Sequence, residues 1–151
     1  MNANQDCLAY AEHLQAEHRE LHQRLRGMQA ELNKVQDQLI DESLLPKMRE
    51  ISEQLRQDLT RHFAEEDNEG CMDYAASRMP TLAAEARALE NEHPLLLAQL
   101  GRLIRDLNGA KPNELSVAAI KQQFDAFVVK LLAHEARENR VVQRGFNMEI
   151  D

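Results

Sequence analysis

The spacing of the apolar residues constrains the fold of this chain more than any other feature. Along four stretches these residues recur at alternating intervals of three and four, which places them on one face of an α-helix. Proline and glycine, which interrupt helices, separate the stretches at Pro46, at residues 78–80 and at residues 108–112. The pattern predicts helices over residues 6–39, 44–75, 81–108 and 113–143.

Four long helices with short connections favour one arrangement. Because a short connection makes neighbouring helices antiparallel, we expect an all-α fold, an antiparallel up-down-up-down four-helix bundle. A length of 151 residues suits one domain with one core, so we expect a single domain over residues 1–151. The composition agrees with this, since aromatic residues make up 4% of the chain and tryptophan is absent.

The charge of the chain and its apolar runs restrict its partners and its location. A net charge of −8 disfavours binding to nucleic acid or to an anionic membrane surface. No stretch approaches the roughly 20 apolar residues that a membrane span needs, and residues 1–6 are too polar for a signal peptide. We therefore expect a cytoplasmic protein, in which Cys7 and Cys71 are reduced thiols.

Each predicted helix carries a histidine where the periodicity calls for an apolar residue. His18 fills the gap between Leu14 and Leu21 on the first helix. On the other three helices the core-facing polar residues are His62, Glu66, His93, His134 and Glu138. Burying such groups without partners costs several kcal/mol for each ionised group. A bound metal compensates for this cost, because it accepts the imidazole lone pairs and neutralises the carboxylates.

The spacing of these residues suits two metal ions. His62 and Glu66 are four residues apart, as are His134 and Glu138, so each pair lies on one helical face. Each imidazole can then bind one ion while the carboxylate reaches toward a second. Mixed imidazole and carboxylate ligation suits iron, and it leaves manganese and zinc open. A ferritin-like site needs a Glu-x-x-His motif on each of two helices, and only Glu90 begins one here.

The heights of the histidines along the predicted helices allow one cluster. His18 and His62 lie about 20 and 18 residues from the end that their helices share, which is within one turn. His93 and His134 agree less well, at about 15 and 21 residues from their shared end. Helix ends that differ from the predicted ones, or a loop that shifts one helix along its axis, can account for this difference in height.

The segments around these residues resemble the hemerythrin-like domain family, over about residues 10–145. The resemblance rests on Glu-His-Arg-Glu-Leu at 17–21, His-Phe-Ala-Glu-Glu at 62–66, Glu-His at 92–93 and His-Glu-Ala-Arg-Glu-Asn at 134–139. It implies two non-heme iron ions bridged by carboxylates and by an oxo or hydroxo group, which bind dioxygen or a related small molecule. The ligands that it implies are His18, His62, Glu66, His93, His134 and Glu138.

The chain departs from the oxygen-carrying hemerythrins on two helices. Those proteins have two histidines four residues apart on the third helix, whereas Leu89 and Leu97 flank His93 here. Their last carboxylate is an aspartate five residues after a histidine, whereas Glu138 follows His134 by four. The present set is more similar to that of iron–sulfur-repair proteins and iron-sensing hemerythrin-like domains. The resemblance therefore implies an exchangeable position at iron rather than simple oxygen carriage.

Other polar side chains near these residues leave alternatives open. His22, one turn after His18, is either a fifth ligand in place of the missing histidine or a hydrogen-bonding partner of a ligand. His13 is expected at the surface. The glutamates expected on a solvated face are Glu65, Glu69 and Glu135, and hydrogen bonding to a ligand is the alternative for each. Tyr74 and Cys71 are expected to pack against apolar neighbours, and a position beside a channel is the alternative.

Functions of different classes fit this set of residues. The first is a binding or sensing module whose di-iron centre takes up dioxygen, nitric oxide or iron itself. The alternative is an enzyme, either an oxidase or peroxidase or an iron donor in the repair of iron–sulfur clusters. A metal-free structural bundle is a weaker third reading. No nucleophile motif or phosphate loop supports catalysis on a larger substrate, so we favour binding of a small diatomic molecule or a peroxide.

Overall fold

All regular secondary structure in the described part of the chain is helical. The computed structural model describes the backbone of residues 3–69 and 71–146, and the side chains of residues 8–68 and 72–145. A short 3-10 helix at Pro80–Leu82 lies between the third and fourth α-helices. The α-helices are α1 (Ala3–Asn33), α2 (Leu44–Glu69), α3 (Cys71–Arg78), α4 (Ala83–Gly109) and α5 (Val117–Phe146). The all-α fold expected from the sequence is confirmed.

The four long helices contact one another in a closed order. α1 lies against α2 and α5, and α4 lies against the same two helices. The shorter α3 packs on α4 and α5, beside the end of α2. None of the helices in the described ranges is long and apolar enough to cross a membrane. Each long helix therefore has two long neighbours and turns one face toward a shared core.

Hydrogen bonds between loops join the helix ends on one side of the molecule. The backbone N–H of Ile40, after α1, donates to the carbonyl of Leu115, before α5, at 2.8 Å. The carboxylate of Asp41 accepts the backbone N–H of Leu44 at 2.8 Å, which satisfies a free donor at the start of α2. The Arg49 side chain donates to carbonyls at the end of α4. These bonds fix the positions of the four helix ends relative to one another.

The helices differ most from the predicted ones in three places. α1 ends at Asn33 rather than near residue 39, because the chain turns over residues 34–38. The predicted helix over 44–75 corresponds to α2 followed by α3. α5 begins four residues later than predicted, because Asn113 adopts a positive φ of 69° that no α-helix contains. The hydroxyl of Ser116 then accepts the N–H of Ala119 and caps the new start.

The apolar core is divided into two clusters. The larger cluster lies toward the joined loops, and the smaller one lies toward α3. On α1 the boundary between them falls between Leu14 and Leu21, and on α4 it falls between Leu89 and Leu96. Burial of one leucine side chain in these clusters contributes about 1.5–3 kcal/mol to stability. The two clusters thus hold the helices together on both sides of the gap between the clusters.

Candidate metal centre

A polar layer crosses the core between the two apolar clusters. Its six members are each at most 5% exposed: His18, His62, Glu66, His93, His134 and Glu138. α1 and α4 each supply one histidine, whereas α2 and α5 each supply a histidine and a glutamate one turn later. The structure therefore brings together all six residues that the spacing in the sequence singles out.

The ligand atoms of this layer form two overlapping groups of four. The groups are His18, His62, Glu66 and Glu138, and Glu66, His93, His134 and Glu138. Within each group the ligand atoms all lie within 4.8 Å of one another, so each group could hold a metal ion. The two histidine rings of each group meet edge to face, with centroids 5.2 and 5.0 Å apart. Both groups contain the same two glutamates.

Glu66 lies between histidines of different groups. Its Oε1 atom is 2.5 Å from Nε2 of His62, and its Oε2 atom is 2.9 Å from Nε2 of His93. The two carboxylate oxygens therefore face two different helices. A carboxylate in this position can bind one ion through each oxygen and so bridge a pair of ions.

Glu138 also reaches both groups, through a single oxygen. Its Oε1 atom lies 3.3 Å from Nε2 of His134 and 3.8 Å from Nε2 of His18. Because His18 and His134 come from opposite groups, this oxygen stands between the two candidate ion positions. The two glutamates together provide the negative charge that a pair of cations requires.

The polar atoms that face one another in this layer have no hydrogen-bond partner of acceptable geometry among the described residues. They are Nε2 of His18, His62, His93 and His134, both side-chain oxygens of Glu66, and Oε1 of Glu138. Buried polar atoms are nearly always hydrogen-bonded, and each one left unpaired costs about 1–3 kcal/mol. Imidazole nitrogens and carboxylate oxygens turned toward one point are the donor set of a metal. The residues present therefore fit metal ions.

A further set of carboxylates orients three of the histidine rings through their Nδ1 atoms. The pairs are Glu17 with His62, Asp67 with His93 at 3.1 Å, and Glu92 with His134 at 3.0 Å. When Nδ1–H donates to a carboxylate, the lone pair of the ring lies on Nε2, which faces the polar layer. Arg137 in turn pairs with Glu92 and Glu85. The rings are thus held in the orientation that metal binding needs.

These orienting carboxylates follow a regular pattern that sequence reasoning missed. Each stands next in sequence to a member of the polar layer on its own helix, but bonds to a histidine on the neighbouring helix. Glu135, next to His134 on α5, follows the same pattern, since it bonds to His22 on α1. The sequence did contain a signal for these carboxylates, namely an acidic residue beside a candidate ligand on every long helix. The helix to which each one points depends on packing.

His22 pairs with Glu135 and does not belong to either ligand group. Nε2 of His22 lies 2.5 Å from Oε2 of Glu135. Glu135 is 4% exposed, so the prediction that it lies on a solvated face is wrong. It is buried because α1 covers this part of α5. Of the two roles left open for His22, hydrogen bonding beside the layer is the one that this contact supports.

The remaining polar predictions fall outside the layer or outside the described side chains. His13 is at the surface, as predicted, and it contacts Glu17 at 2.8 Å and Glu65 at 3.1 Å. Tyr74 packs against the smaller apolar cluster, also as predicted. The predictions for Cys7, Cys71 and Glu69 lie outside the residues whose side chains are described.

One aromatic side chain of the larger apolar cluster, Phe63, lies against the polar layer. The Phe63 ring stacks on the His93 ring, with centroids 4.1 Å apart and planes inclined by 5°. Its edge also meets His134, at a centroid distance of 5.7 Å. Phe63 is 3% exposed, so it keeps water away from this side of the layer. A dry surrounding strengthens electrostatic interactions within the site.

Protonation in the metal-free layer is uneven. Burial and the neighbouring His62 lower the pKa of His18 to about 3. Burial also acts to lower the pKa of His62, but Glu66 and Glu17 outweigh it and raise that pKa to about 9. Burial and the Glu66 carboxylate raise the pKa of Glu138 well above its usual value. Burial opposes ionisation of Glu66, but its neighbours Glu138 and His62 lower the pKa of that group.

Two clefts lead from the surface to the polar layer on either side of α5. One lies between α1 and α5, has a volume of about 360 Å³ and reaches His18. The other lies between α4 and α5, has a volume of about 460 Å³ and reaches His134. Each ligand group therefore has at least one histidine beside a cleft through which small molecules can approach.

Comparison with known proteins identifies no relative of the chain. No family model matches it, and neither a curated protein nor a solved structure matches it. What the site binds must therefore be inferred from its own geometry.

Proposed function

We propose that this protein is a hemerythrin-like non-heme di-iron protein that binds or senses a small molecule. The observation that carries the proposal is the sharing of Glu66 and Glu138 between two buried pairs of imidazoles. Shared carboxylates of this kind can bridge two ions, and each pair of imidazoles adds to the protein donors of one ion. Mixed imidazole and carboxylate ligation suits iron at both positions, and the resemblance of the sequence to hemerythrin-like domains favours iron over manganese and zinc.

The proposal includes an antiparallel four-helix bundle in which α2 and α3 together form the second arm. The contacts of α1 and α4 with both α2 and α5 support this arrangement. The levels of the histidines support it as well. His93 lies 16 residues before the end of α4, and His134 lies 17 residues after the start of α5. Antiparallel neighbours joined at that end bring such residues to the same height.

The donor set leaves room for an exogenous ligand at iron. Two imidazoles and two carboxylates per ion are four protein donors, and His22 adds none because it is held by Glu135. Iron sites with few protein ligands keep positions open for small molecules such as dioxygen or nitric oxide. The chain itself orients the histidine rings through Glu17, Asp67 and Glu92, and it excludes water with Phe63. Such a site suits binding or sensing of a small molecule.

A di-iron oxidase is the second candidate, and the cleft between α4 and α5 favours it. A volume of about 460 Å³ lies in the range of pockets that hold organic molecules. The cleft has apolar side chains, including Leu95 and Leu96, next to the cations Arg102 and Lys130. An organic acid could lie there beside His134. Oxidation of such an acid by the iron-loaded protein, with turnover, would support this candidate over a binding protein.

A metal count combined with an optical spectrum tests the proposal. The protein is loaded with ferrous iron without air, and the spectrum is recorded before and after exposure to air. We expect about two irons per chain and a charge-transfer band that appears with air. A band that reverses on removal of air indicates a binding protein, and irreversible oxidation with peroxide turnover indicates an enzyme. A chain that retains no iron would refute the di-iron assignment.

A further inference from the structure

The solvent-facing side of α5 carries a second row of residues with the spacing of a packing face. The row keeps the alternating intervals of four and three that place apolar residues inside the bundle. Its exposed members are Gln122, Ala126, Val129, Ala133, Ala136 and Arg140. On α2, by contrast, every exposed residue with a described side chain is polar except Pro46 and Ala64. The middle of the row on α5 is apolar, as a packing face is, although it lies in solvent.

Larger apolar side chains lie in this row and beside it. Val129 in the row and Leu95 on α4 are each 68% exposed, the highest values for large apolar residues in the described part of the chain. Leu132 on α5 is 41% exposed. Leu95 lines the same cleft as Ala133, and Leu132 lines the same cleft as Ala136. Apolar side chains that gather on one surface in this way are typical of a binding site for a partner.

The charges beside the row are positive, although the chain as a whole has a net charge of −8. Among the described residues of α5, none that is exposed is acidic. The exposed cations in the row and along the two clefts are Arg19, Arg102, Lys130 and Arg140. None of these four forms an ion pair with another described residue. This face therefore differs in charge from the rest of the protein.

The acidic residues that line the two clefts do not neutralise these cations. Glu92, in the cleft between α4 and α5, is bonded to Arg137. Glu135, in the cleft between α1 and α5, is buried and bonded to His22. The positive charge of the face is therefore uncompensated, and acidic residues of a partner would compensate it.

We infer that an acidic, amphipathic helix of a partner protein docks along α5 and covers the mouths of both clefts. The spacing of the row selects a helix, because alternating intervals of three and four match the side chains of a second helix. The cations select acidic residues at the edges of that helix. A second copy of this chain is disfavoured, since the same cations would then meet one another. The net charge of −8 disfavours an anionic membrane.

The position of the row explains why both clefts are covered. Ala133 lines the cleft that reaches His134, and Ala136 lines the cleft that reaches His18. A helix with its side chains is about 10–12 Å wide, so one that is centred between these alanines lies over both mouths. Docking would then control the access of small molecules to the polar layer. The inference goes beyond the proposed function, because the docking itself requires no iron.

Fluorescence anisotropy with two labelled peptides tests the inference on the full-length chain, zinc-loaded and metal-free. Both peptides carry leucines at the spacing of the row, and the other positions hold glutamate and alanine in one and lysine and alanine in the other. The net charge of the chain alone would favour the lysine peptide. We expect the glutamate peptide to bind about tenfold more tightly, with a preference that shrinks as salt is added. Equal binding, or a preference for lysine, would overturn the inference.

A substitution within the row shows whether the peptide binds there. Val129→Glu should weaken binding of the glutamate peptide about tenfold or more, because it replaces an apolar contact by a like charge. Ala64→Glu is the matched control, since it places the same charge at an exposed apolar residue of α2. It should leave the affinity within about twofold. Equal effects of the two substitutions would contradict the assignment to α5.

Two arginines on α4 test the role of charge. Arg102 and Arg105 are both exposed, but only Arg102 lines a cleft beside α5. Arg102→Gln should weaken binding of the glutamate peptide about threefold, whereas Arg105→Gln should leave it nearly unchanged. Equal weakening would mean that overall charge, and not this face, attracts the peptide. Binding to vesicles of phosphatidylcholine and phosphatidylserine, without binding to the glutamate peptide, would overturn the inference and assign the face to a membrane.

The covering of the clefts is tested on iron-loaded protein whose iron content has been measured. Saturation with the glutamate peptide should slow azide binding to iron about tenfold, because a docked helix closes both routes to the site. An unchanged rate with the peptide bound would refute the covering of the clefts. Peptide binding is measured without iron, so a failure of the di-iron proposal is distinguishable from a failure of this one.

Discussion

Nδ1 of His134 on α5 lies 3.0 Å from Oε1 of Glu92 on α4. This bond between neighbouring helices determines which nitrogen of the fully buried ring faces the polar layer. A carboxylate in this position also raises the basicity of the ring and so strengthens its bond to a metal. Glu92 is itself held by Arg137. Two side chains outside the ligand groups, Glu92 and Arg137, therefore fix the orientation of the ring.

Replacement of Glu92 should weaken metal binding without abolishing it. We expect Glu92→Ala to lower the affinity for iron about 10–100-fold, because the His134 ring loses its orienting partner. Competition with a chelator measures this affinity. Glu90→Ala is the matched control, since Glu90 is an exposed residue on the same helix. An equal effect of both substitutions would mean that Glu92 acts through general charge alone.

Loss of a histidine from the polar layer should empty at least one ion position. His62→Ala removes a donor from the first group, and His134→Ala removes one from the second. We expect each variant to hold about one iron or fewer per chain, against about two in the parent protein. His13→Ala, at an exposed histidine on α1, should keep the full count. Full iron occupancy in both layer variants would refute the ligand assignment.

Removal of the metal should destabilise the fold. The unpaired nitrogens and oxygens of the polar layer are costly when no metal is bound. A ligand that binds the folded state alone, at 100 to 1,000 times its dissociation constant, stabilises it by roughly 2.7–4.1 kcal/mol. Thermal unfolding with and without a chelator should show a lower midpoint for the stripped protein. Equal midpoints, with metal removal confirmed, would show that the polar groups are satisfied in another way.

The close approach of α5 to α3 gives a prediction that is independent of metal. A Cβ atom at residue 145 would overlap with Ala75, so the helices can meet there only because residue 145 is glycine. Gly145→Ala should destabilise the protein by about 1–3 kcal/mol. Gly101→Ala, on α4, is the control: nothing lies within 4 Å of the added atom, and it should stabilise by roughly 0.5–1 kcal/mol. Urea unfolding measures both, and stabilisation by both would contradict the close contact.

The polar layer could be predicted because it depends on helical periodicity alone. His18 lies in register between Leu14 and Leu21, and this register holds wherever the helix begins or ends. The heights were harder to predict. The predicted start of the last helix left His134 about six residues out of level with His93. The positive φ of Asn113 moves that start to Val117, α4 ends at Gly109, and the two levels then differ by one residue.

Contacts between helices could not be predicted, because they depend on how each helix is rotated against its neighbour. Glu135 looks like a solvated residue in the sequence, yet α1 covers it and His22 binds it. Glu17 stands beside His18 in the sequence but bonds to His62 on another helix. Spacing along one chain carries no information on such pairs. For this reason the candidate ligands were found and the residues that orient them were missed.

Metal binding should release protons, because two candidate ligands hold protons more tightly than usual in the metal-free chain. Burial opposes charge on His62, but Glu66 and Glu17 outweigh it and raise the pKa of His62 to about 9. Burial and Glu66 raise the pKa of Glu138 well above its usual value. A metal binds the deprotonated forms of both groups. The affinity for metal should therefore fall as the pH drops below about 9, because the metal must then displace a proton from His62.

Titration calorimetry with zinc, in buffers that differ in their ionisation enthalpy, measures the protons released without interference from oxidation. At pH 7 we expect a release of about one proton per chain from His62, whose pKa of about 9 keeps the ring protonated until the metal binds. Any proton that Glu138 still holds at that pH adds to this release, because its pKa is raised as well. His13→Ala should release the same number, since His13 lies at the surface outside both buried ligand groups. Binding that releases no proton, or an affinity that rises as the pH falls, would show that neither group is protonated before the metal arrives. Either result would show that the metal displaces no proton from His62 or from Glu138.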